Sequence, residues 1–516
     1  MDNVRDSKTK NSSRNILFGF CLKIYQLLMP FIIRTIIIYV LGMEYAGLNS
    51  LFVSVLSVLN IAELGVGTIM VFYMYKPIEE GDTNKICALM SLYKMYYRVI
   101  GLVILVIGLC LTPFLDKLVK GDVPSDINLY ILYFLNLGAT VLSYWLFAYK
   151  NSLFQAHQRN DVVSKATIFT DTVKYVLQIV LLFAFKNYYY YVIVLLLTQL
   201  FNNVLIAYRA DKVFPNYRAI GVLSNEEKKQ INSSIRDVFY AQFGLIVTLS
   251  VDSIVISAFL GLIPLSLYQN YYFIINALIS FFTIFYQSLR ASIGTNIIVK
   301  KPHDNYIDFK FICFIVLGSL AVCTACLLNL FQPFMELWVG KNNLLDGFCV
   351  VLFVIYFFVY EFSIMLDSYK GISGKWHTDR YRPLITALIN LALNIIMVQM
   401  IGLYGILLST IISFLFVNIP WLFRRVFIDV FDSCEKKDFL IFIFRNIISI
   451  IVGVLITYFL CRVLPKYHLI QIFFMNLFVC ILVPTLVYIA LNIKTMEFTR
   501  LIDLIKKFRN RGRNNI

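Results

Sequence analysis

The sequence predicts an all-α protein that crosses a membrane many times. Hydrophobic residues make up 59% of its 516 residues and charged residues only 15%, whereas soluble domains contain about 45–50% apolar and about 25% charged residues. The mean hydropathy is +0.76. The apolar runs are long and continuous, whereas a membrane β-barrel would show segments of about ten residues that alternate in polarity. The spans are therefore expected to be helices.

Fourteen apolar runs have about the 20-residue length that a transmembrane helix needs. The predicted spans are residues 16–41, 48–73, 91–112, 127–149, 162–185, 188–208, 235–260, 265–289, 309–331, 345–367, 383–401, 404–423, 439–463 and 469–493. The first run follows a polar, basic start. It is too long for a signal-peptide core and lacks a small-residue cleavage site, so we expect it to be retained as a span.

The distribution of Lys and Arg predicts the orientation. With the N-terminus in the cytoplasm, only six of the 46 Lys and Arg residues fall in outside loops, in agreement with the positive-inside rule. These six are Lys117, Lys120, Lys186, Lys341, Arg462 and Lys466. The C-terminus is then also cytoplasmic, and the net charge of +16 is mostly a topology signal. The basic tail KKFRNRGRNN is expected to contact anionic lipid headgroups, and no nucleic-acid partner is expected.

The connections between spans predict two halves joined by a linker. The outside loops GMEYAG, GLIPLS and GLYG are long enough only for tight turns. The longest cytoplasmic connection has Ser224 and Glu227 at capping-box spacing, which predicts a short surface helix there. The predicted division is a first lobe at 1–208, a cytoplasmic linker at 209–234, a second lobe at 235–424, and two final spans with a basic tail at 425–516.

Polar residues recur every three or four positions inside four spans, so that each of these helices has one polar face. The four stripes are Lys23, Gln26, Pro30 and Arg34 in span one; Ser50, Ser54, Ser57, Asn60, Glu63 and Gly67 in span two; Ser164, Thr167, Asp171, Lys174 and Gln178 in span five; and Asn276, Ser280, Thr283, Gln287 and Arg290 in span eight. A charge near the bilayer centre costs roughly 3 kcal/mol on insertion scales. The polar faces are therefore expected to turn toward one another or toward water. Small polar residues also hold packed membrane helices together, which is an alternative explanation for the Ser, Thr and Asn positions.

Four cations on these faces are the candidate substrate-binding residues: Arg34, Arg290, Lys23 and Lys174. Each has a simpler explanation that the sequence leaves open. Arg34 and Lys23 can extend to the outer and inner interfaces. Lys174 can pair with Asp171 three residues earlier, and Arg290 can serve as an interfacial anchor.

Five embedded carboxylates are candidates for ion coupling or gating. They are Glu63, Asp171, Asp252, Glu361 and Asp367. Each is either a proton or sodium site or the partner of a cation in a salt bridge, and their positions in the sequence do not separate these roles.

No enzyme motif accompanies these residues. The sequence contains no P-loop, dinucleotide fingerprint, nucleophile elbow or zinc motif. It has four histidines, and the CTAC segment at 323–326 lies within a span. We therefore expect no catalytic site, no metal and no cofactor. Without an ATP site, any transport depends on an ion gradient, the membrane potential or the substrate gradient.

Several longer segments carry a family resemblance. They are LGMEYAGLNSLFVSVLSVLNIAELGVGTIMVFYMYKPIEEGDTNKICALMSLYKMYYRVIG, VDSIVISAFLGLIPLSLYQNYYFIINAL, ASIGTN, LWVGKNNLL and DRYRPLITALINLALNIIMVQMIGLYGILLSTIIS. Together they resemble bacterial oligosaccharide flippases of the polysaccharide-biosynthesis (Wzx-like) family, within the multidrug/oligosaccharidyl-lipid/polysaccharide exporter superfamily. The similarity follows the same order over most of the chain.

The resemblance implies two six-helix lobes around a central cavity, two further C-terminal helices, and a location in the bacterial inner membrane. It implies an undecaprenyl pyrophosphate-linked oligosaccharide as substrate, with membrane lipids and the polysaccharide polymerase machinery as partners. The family's cationic cavity would correspond here to Arg34 and Arg290, with Lys23 and Lys174 as further members. The embedded carboxylates depart from a purely cationic lining.

Two other functions remain open at this point. The first is a Na⁺- or H⁺-coupled multidrug exporter of the same fold, whose cavity would be more aromatic and anionic. The second is a membrane-embedded polysaccharide polymerase, which would need large outside loops.

Overall fold

A computed structural model describes residues 2–121, 123–373, 378–431, 435–463 and 469–514. This part of the chain is helical and contains no strand, which confirms the predicted all-α class. The helices are α1 (Asp2–Val40), α2 (Met43–Leu59), α3 (Val66–Glu80), α4 (Thr83–Leu111), α5 (Leu129–Trp145), α6 (Asn151–Ala156), α7 (Asn160–Phe185), α8 (Tyr188–Val213), α9 (Asn225–Leu260), α10 (Leu262–Val299), α11 (Pro302–Val339), α12 (Gly347–Ile372), α13 (Arg382–Ile401), α14 (Leu403–Ser413), α15 (Ile419–Asp429), α16 (Lys436–Val463), α17 (Leu469–Asn492) and α18 (Met496–Asn514).

The described residues contain thirteen helical segments that are long and apolar enough to cross a membrane. A fourteenth candidate is a bent pair, Leu129–Trp145 and Ala148–Ala156, whose axes differ by 48°. With this pair counted as one span, the fourteen segments overlap the fourteen predicted runs one for one, and several extend beyond the predicted bounds. The predicted fold, a polytopic helical membrane protein, is confirmed.

The second span is not one continuous helix. α2 ends at Leu59, a 3₁₀ turn covers Asn60–Glu63, and Gly65 has a φ of +84° before α3 begins. Glycine adopts this left-handed conformation without the steric cost that a Cβ would add. The predicted single polar face of span two is therefore wrong beyond Leu59, because Glu63 lies in the turn and Gly67 belongs to α3.

The predicted capping box is present at the start of α9. The Ser224 hydroxyl accepts a hydrogen bond from the Glu227 backbone N–H (3.2 Å), and the Glu227 carboxylate accepts one from the Ser224 backbone N–H (3.1 Å). The residues between Ser224 and Gly244 include no Gly or Pro, so the helix has no early end, and it also continues through Gly244. α9 continues to Leu260, and the prediction of a separate short surface helix is wrong.

Two of the tight turns that the sequence predicts depend on glycine. Gly42 (φ +120°) separates α1 from α2, and Gly261 (φ +98°) separates α9 from α10. A Cβ on Gly261 would lie 2.7 Å from the Lys120 carbonyl oxygen. Both the backbone angle and this close approach therefore require glycine at position 261.

Packing divides the chain into two compact units. Unit 1 comprises Met1–Gln269 and Pro383–Leu391, and its main helix pairs are α7 with α8, α1 with α7, α4 with α5 and α2 with α9. Unit 2 comprises Asn270–Arg382 and Ala392–Ile516, and within it α11, α16 and α17 pack against one another and α12 packs on α14. The lobe boundaries predicted at 208, 234 and 424 stay a prediction.

Candidate functional site

The polar stripe of α1 places Arg34 in a different environment from Lys23. Lys23 and Gln26 are exposed, whereas Pro30 and Arg34 are partly buried. The guanidinium of Arg34 donates to the Ser50 hydroxyl on α2 (3.0 Å) and to the Ser266 carbonyl in the first turn of α10 (3.2 Å). Hydrogen bonds of this kind compensate the loss of water around a guanidinium inside a membrane protein.

The helices around Arg34 pack very closely. A Cβ on Gly47, one turn before Ser50 on α2, would lie 2.1 Å from the carbonyl oxygen of Leu262, the first residue of α10. Only a glycine allows the two backbones to come this near. The close approach places the Ser50 hydroxyl and the Ser266 carbonyl within reach of the same guanidinium.

Asp171 and Lys174 form an ion pair within α7. The Lys174 ammonium lies 2.6 Å from an Asp171 carboxylate oxygen and 4.3 Å from the centre of the Tyr175 ring, and both members of the pair are largely shielded from solvent. This is the simpler explanation that the i, i+3 spacing left open. The positive charge of Lys174 is therefore balanced within its own helix.

Glu63 is surrounded by tyrosines. Its two carboxylate oxygens accept hydrogen bonds from the hydroxyls of Tyr97 (2.6 Å) and Tyr144 (2.8 Å), and Tyr97 in turn accepts one from Tyr93 (2.7 Å). The sequence did not indicate these partners, which come from α4 and α5. The four-residue spacing of Tyr93 and Tyr97 was the one available signal, because it places them on the same helix face.

Asp252 is buried in α9 near the C-terminal end of that helix. The hydroxyl of Tyr268 donates to an Asp252 carboxylate oxygen at 3.3 Å, and the neighbouring Ser253 accepts a hydrogen bond from the Gln269 side chain at 2.6 Å. These contacts join α9 to the first turns of α10. Asp252 thus has a structural partner within unit 1.

Glu361 is the most isolated of the predicted carboxylates. Its side chain is 0% exposed in α12, and neither carboxylate oxygen has a hydrogen-bond partner among the described residues. The buried hydroxyls of Tyr286 on α10 and Thr324 on α11 also lack a partner in this part of the chain. Tyr286 is close enough to interact electrostatically with Glu361. An ionised carboxylate in this position is unfavourable unless a proton or another cation accompanies it.

Asp367 is a partly exposed member of an ionic network that was not predicted, whose other charged members, Lys370, Asp379 and Arg382, are buried. Its carboxylate lies 2.7 Å from Arg382, whose Nε is 2.8 Å from Asp379, and Asp379 also lies 3.2 Å from Lys370. Arg382 donates in addition to the side chain of Asn418, which occupies a π-helical turn between α14 and α15. The network joins α12 to α13 and to that turn.

Arg290 is exposed on α10. Within the described residues no carboxylate lies within ion-pair distance of it. On the same stripe, Thr283 and Gln287 are also exposed. This placement fits both an interfacial anchor and a cation available to a ligand.

Among the residues that the structure describes, no group of three or more His, Cys, Asp or Glu side chains is placed to hold a metal ion. The candidate site therefore consists of membrane-embedded cations and carboxylates.

The fold that these helices form is similar to that of solved membrane transporters, one of which is described as a member of the MOP superfamily. One similar solved structure is the lipid II flippase MurJ in an inward closed conformation, with a TM-score of 0.63 and 14% identity, covering 94% of this chain and 100% of that chain. Another is an inward-facing multidrug resistance MATE family transporter, with a TM-score of 0.61 and 14% identity, covering 78% of this chain and 94% of that one.

A third similar structure is a transporter of the same superfamily from Pyrococcus furiosus that is described as having a binding pocket of reversed polarity. Its TM-score is 0.54 at 13% identity, and the match covers 83% of this chain and 96% of that chain. No family model and no curated protein matches the sequence. At these identities the likeness establishes the fold, and the function is argued from the residues.

Proposed function

We propose that the protein is a flippase that moves a lipid pyrophosphate-linked oligosaccharide, with undecaprenyl as the lipid, from the inner to the outer leaflet of the bacterial cell membrane. The observation that carries the proposal is the fold match to the lipid II flippase, which covers 94% of this chain, compared with 78% for the inward-facing MATE transporter. The Wzx-like segments support the same class of substrate. Both termini are proposed to be cytoplasmic, as the positive-inside pattern indicates.

A protein is needed for this step because the headgroup is strongly polar. Each polar group that crosses hydrocarbon without a hydrogen-bond partner costs several kcal/mol. Alternating access would expose the headgroup first to one side and then to the other, while the lipid tail remains in the bilayer.

Arg34 is proposed as one contact for the diphosphate group. Its planar fork of N–H donors suits phosphate oxygens, and in this structure the fork contacts a serine hydroxyl and a backbone carbonyl. Arg290, exposed on α10, is proposed as a second contact, and Lys23 as a cation near the inner end of α1. Lys174 is proposed to contact the diphosphate only when its ion pair with Asp171 opens.

Coupling to an ion gradient is proposed to involve Glu361 and Glu63. Glu361 is buried without a hydrogen-bond donor, so binding a proton or Na⁺ would change its electrostatic energy most strongly. Glu63 sits in the break between α2 and α3, where a change of its charge would alter the hydrogen bonds it accepts from two tyrosines, Tyr97 and Tyr144. Asp171, Asp252 and Asp367 remain candidates, and each has a partner within the protein.

The test uses a strain that lacks the gene. If the protein is a flippase, lipid-linked oligosaccharide accumulates on the inner leaflet and surface polysaccharide is lost. Wild-type protein restores export, whereas Arg34→Ala and Arg290→Ala do not, at equal expression. Export at the wild-type rate in both variants would refute the diphosphate role.

The multidrug exporter is the second candidate, because a MATE transporter is among the similar structures. Drug sensitivity with a normal polysaccharide profile would select it and eliminate the flippase. If the protein were instead a polymerase, the strain that lacks it would accumulate single repeat units on the outer leaflet. Contact with the polysaccharide polymerase machinery is part of the flippase proposal and is absent from the exporter alternative.

A further inference from the structure

Among the described side chains of the final helix, α18, those that form ion pairs with the rest of unit 2 lie in its first two turns. Glu497, in its first turn, is buried and lies 3.2 Å from Lys310 on α11 and 3.3 Å from Arg445 on α16. One turn later Arg500 pairs with Asp308 on α11. These ion pairs fix the first two turns of α18 directly after the last span, α17.

Beyond Arg500 the helix has an unpartnered apolar face. Leu501, Leu504 and Ile505 recur at three- and four-residue spacing and therefore share one side of the helix. Leu504 is 41% and Ile505 54% exposed. Side chains of this kind are buried when a helix lies in the headgroup region of a bilayer with its apolar face toward the acyl chains.

The remaining residues of α18 are strongly basic. After Asp503 the sequence contains no carboxylate and five cations: Lys506, Lys507, Arg509, Arg511 and Arg513. Lys506 and Lys507 are exposed, and no carboxylate of the described residues lies within ion-pair distance of either. This charge is complementary to an anionic lipid surface and repels other cationic surfaces.

The position of the helix in the chain favours a membrane over a protein partner. Only three residues separate the end of α17 at Asn492 from the start of α18 at Met496. Ile493 and Met496 in this region are themselves apolar and exposed. The apolar face of α18 thus continues the apolar surface of the last span.

We propose that α18 lies in the cytoplasmic membrane interface and binds anionic phospholipid, with Leu504 and Ile505 toward the acyl chains and Lys506 and Lys507 toward the headgroups. The interaction does not depend on which substrate the protein moves. Each lysine is expected to raise the affinity for an anionic surface about fivefold.

Hydrogen–deuterium exchange of the full-length protein in lipid nanodiscs tests this proposal. Exchange in 496–514 should be at least about fivefold slower in discs of phosphatidylcholine mixed with phosphatidylglycerol than in discs of phosphatidylcholine alone. High salt should remove the difference, because it screens exposed charges.

Matched variants separate the contribution of the lysine charges from that of the apolar face. Lys506→Gln with Lys507→Gln should remove most of the lipid-charge dependence, whereas Lys212→Gln with Lys229→Gln, two exposed lysines elsewhere, should leave it unchanged. Leu504→Ser with Ile505→Ser should speed exchange in both kinds of disc. Exchange in α11 and α16 serves as the control for folding.

Two results would overturn the proposal. One is the same exchange rate for α18 in both kinds of disc, with no effect of salt. The other is protection that appears only after a cytoplasmic protein fraction is added, since that identifies a protein rather than a lipid as the occupant.

Discussion

Replacing Gly47 by alanine should destabilise the protein, because α2 and α10 leave no room for a methyl group. The added Cβ would lie 2.1 Å from the Leu262 carbonyl oxygen, and a carbon–oxygen contact needs about 3.3 Å. The first turn of α10 would therefore have to move by roughly 1 Å. Overpacking of this kind costs about 1–3 kcal/mol.

Part of that loss is offset by helix propensity. Alanine in a helix interior is about 0.5–1 kcal/mol more favourable than glycine, which leaves a net loss of about 1–2 kcal/mol for Gly47→Ala. The matched control is Gly138→Ala in α5, where a Cβ would meet nothing within 4 Å. Only the propensity gain applies there, so the two variants should differ by the overpacking cost alone, about 1–3 kcal/mol.

Thermal unfolding of purified protein, followed by size-exclusion chromatography of heated samples, measures the difference. Gly138→Ala should melt at or above the wild-type temperature. Gly47→Ala should melt about 1–2 °C below it, because 1 kcal/mol shifts the midpoint of a chain this long by only about 1 °C. A Gly47→Ala protein as stable as Gly138→Ala would refute the close approach of α2 and α10. The arrangement of Ser50 and Ser266 around Arg34 would then also need revision.

Three further predictions concern buried polar groups. Glu361→Gln should melt no lower than wild type, because an ionised carboxylate without hydrogen-bond donors is unfavourable. Transport by the reconstituted variant should no longer depend on an H⁺ or Na⁺ gradient, and retained dependence would contradict the coupling role of Glu361. Tyr97→Phe should lower the free energy of unfolding by about 1–3 kcal/mol, because the Glu63 carboxylate loses a hydrogen-bond donor. Tyr96→Phe, at a partly exposed position, should lower it less. Equal effects of the two variants would contradict the importance of the Glu63 hydrogen bond. Arg382→Met should lower the stability by about 1.5–3 kcal/mol, because Asp367 and Asp379 each lose a charge-assisted hydrogen bond while Lys370 still pairs with Asp379; a variant as stable as wild type would contradict the network's role.

The spans could be predicted from sequence because one physical requirement dominates them. Each apolar run has the length needed to cross a bilayer with its backbone hydrogen bonds satisfied internally. Local contacts were also accessible: the pair of Asp171 and Lys174 and the capping box of Ser224 each span three residues.

Long-range partners could not be predicted in this way. The sequence identified Glu63 as an embedded carboxylate, but its donors lie 34 and 81 residues away. Periodicity describes the face of one helix and does not show which helix packs against it. The break in span two was missed for a related reason, since Gly65 looked like an ordinary small residue within an apolar run.

The proposed transport of a lipid-linked oligosaccharide depends above all on a contact between its diphosphate and a cation on α1, Arg34. The most direct measurement is the amount of precursor left on the inner leaflet in the deletion strain that expresses Arg34→Ala, Arg34→Lys or Ser50→Ala at equal levels. We expect strong accumulation with alanine at position 34, partial export with lysine, which lacks the planar fork, and near-normal export with Ser50→Ala. Normal export by Arg34→Ala would contradict the diphosphate contact. Equal losses of export in Arg34→Ala and Ser50→Ala would also contradict it, because Arg34 would then act only by holding helices together.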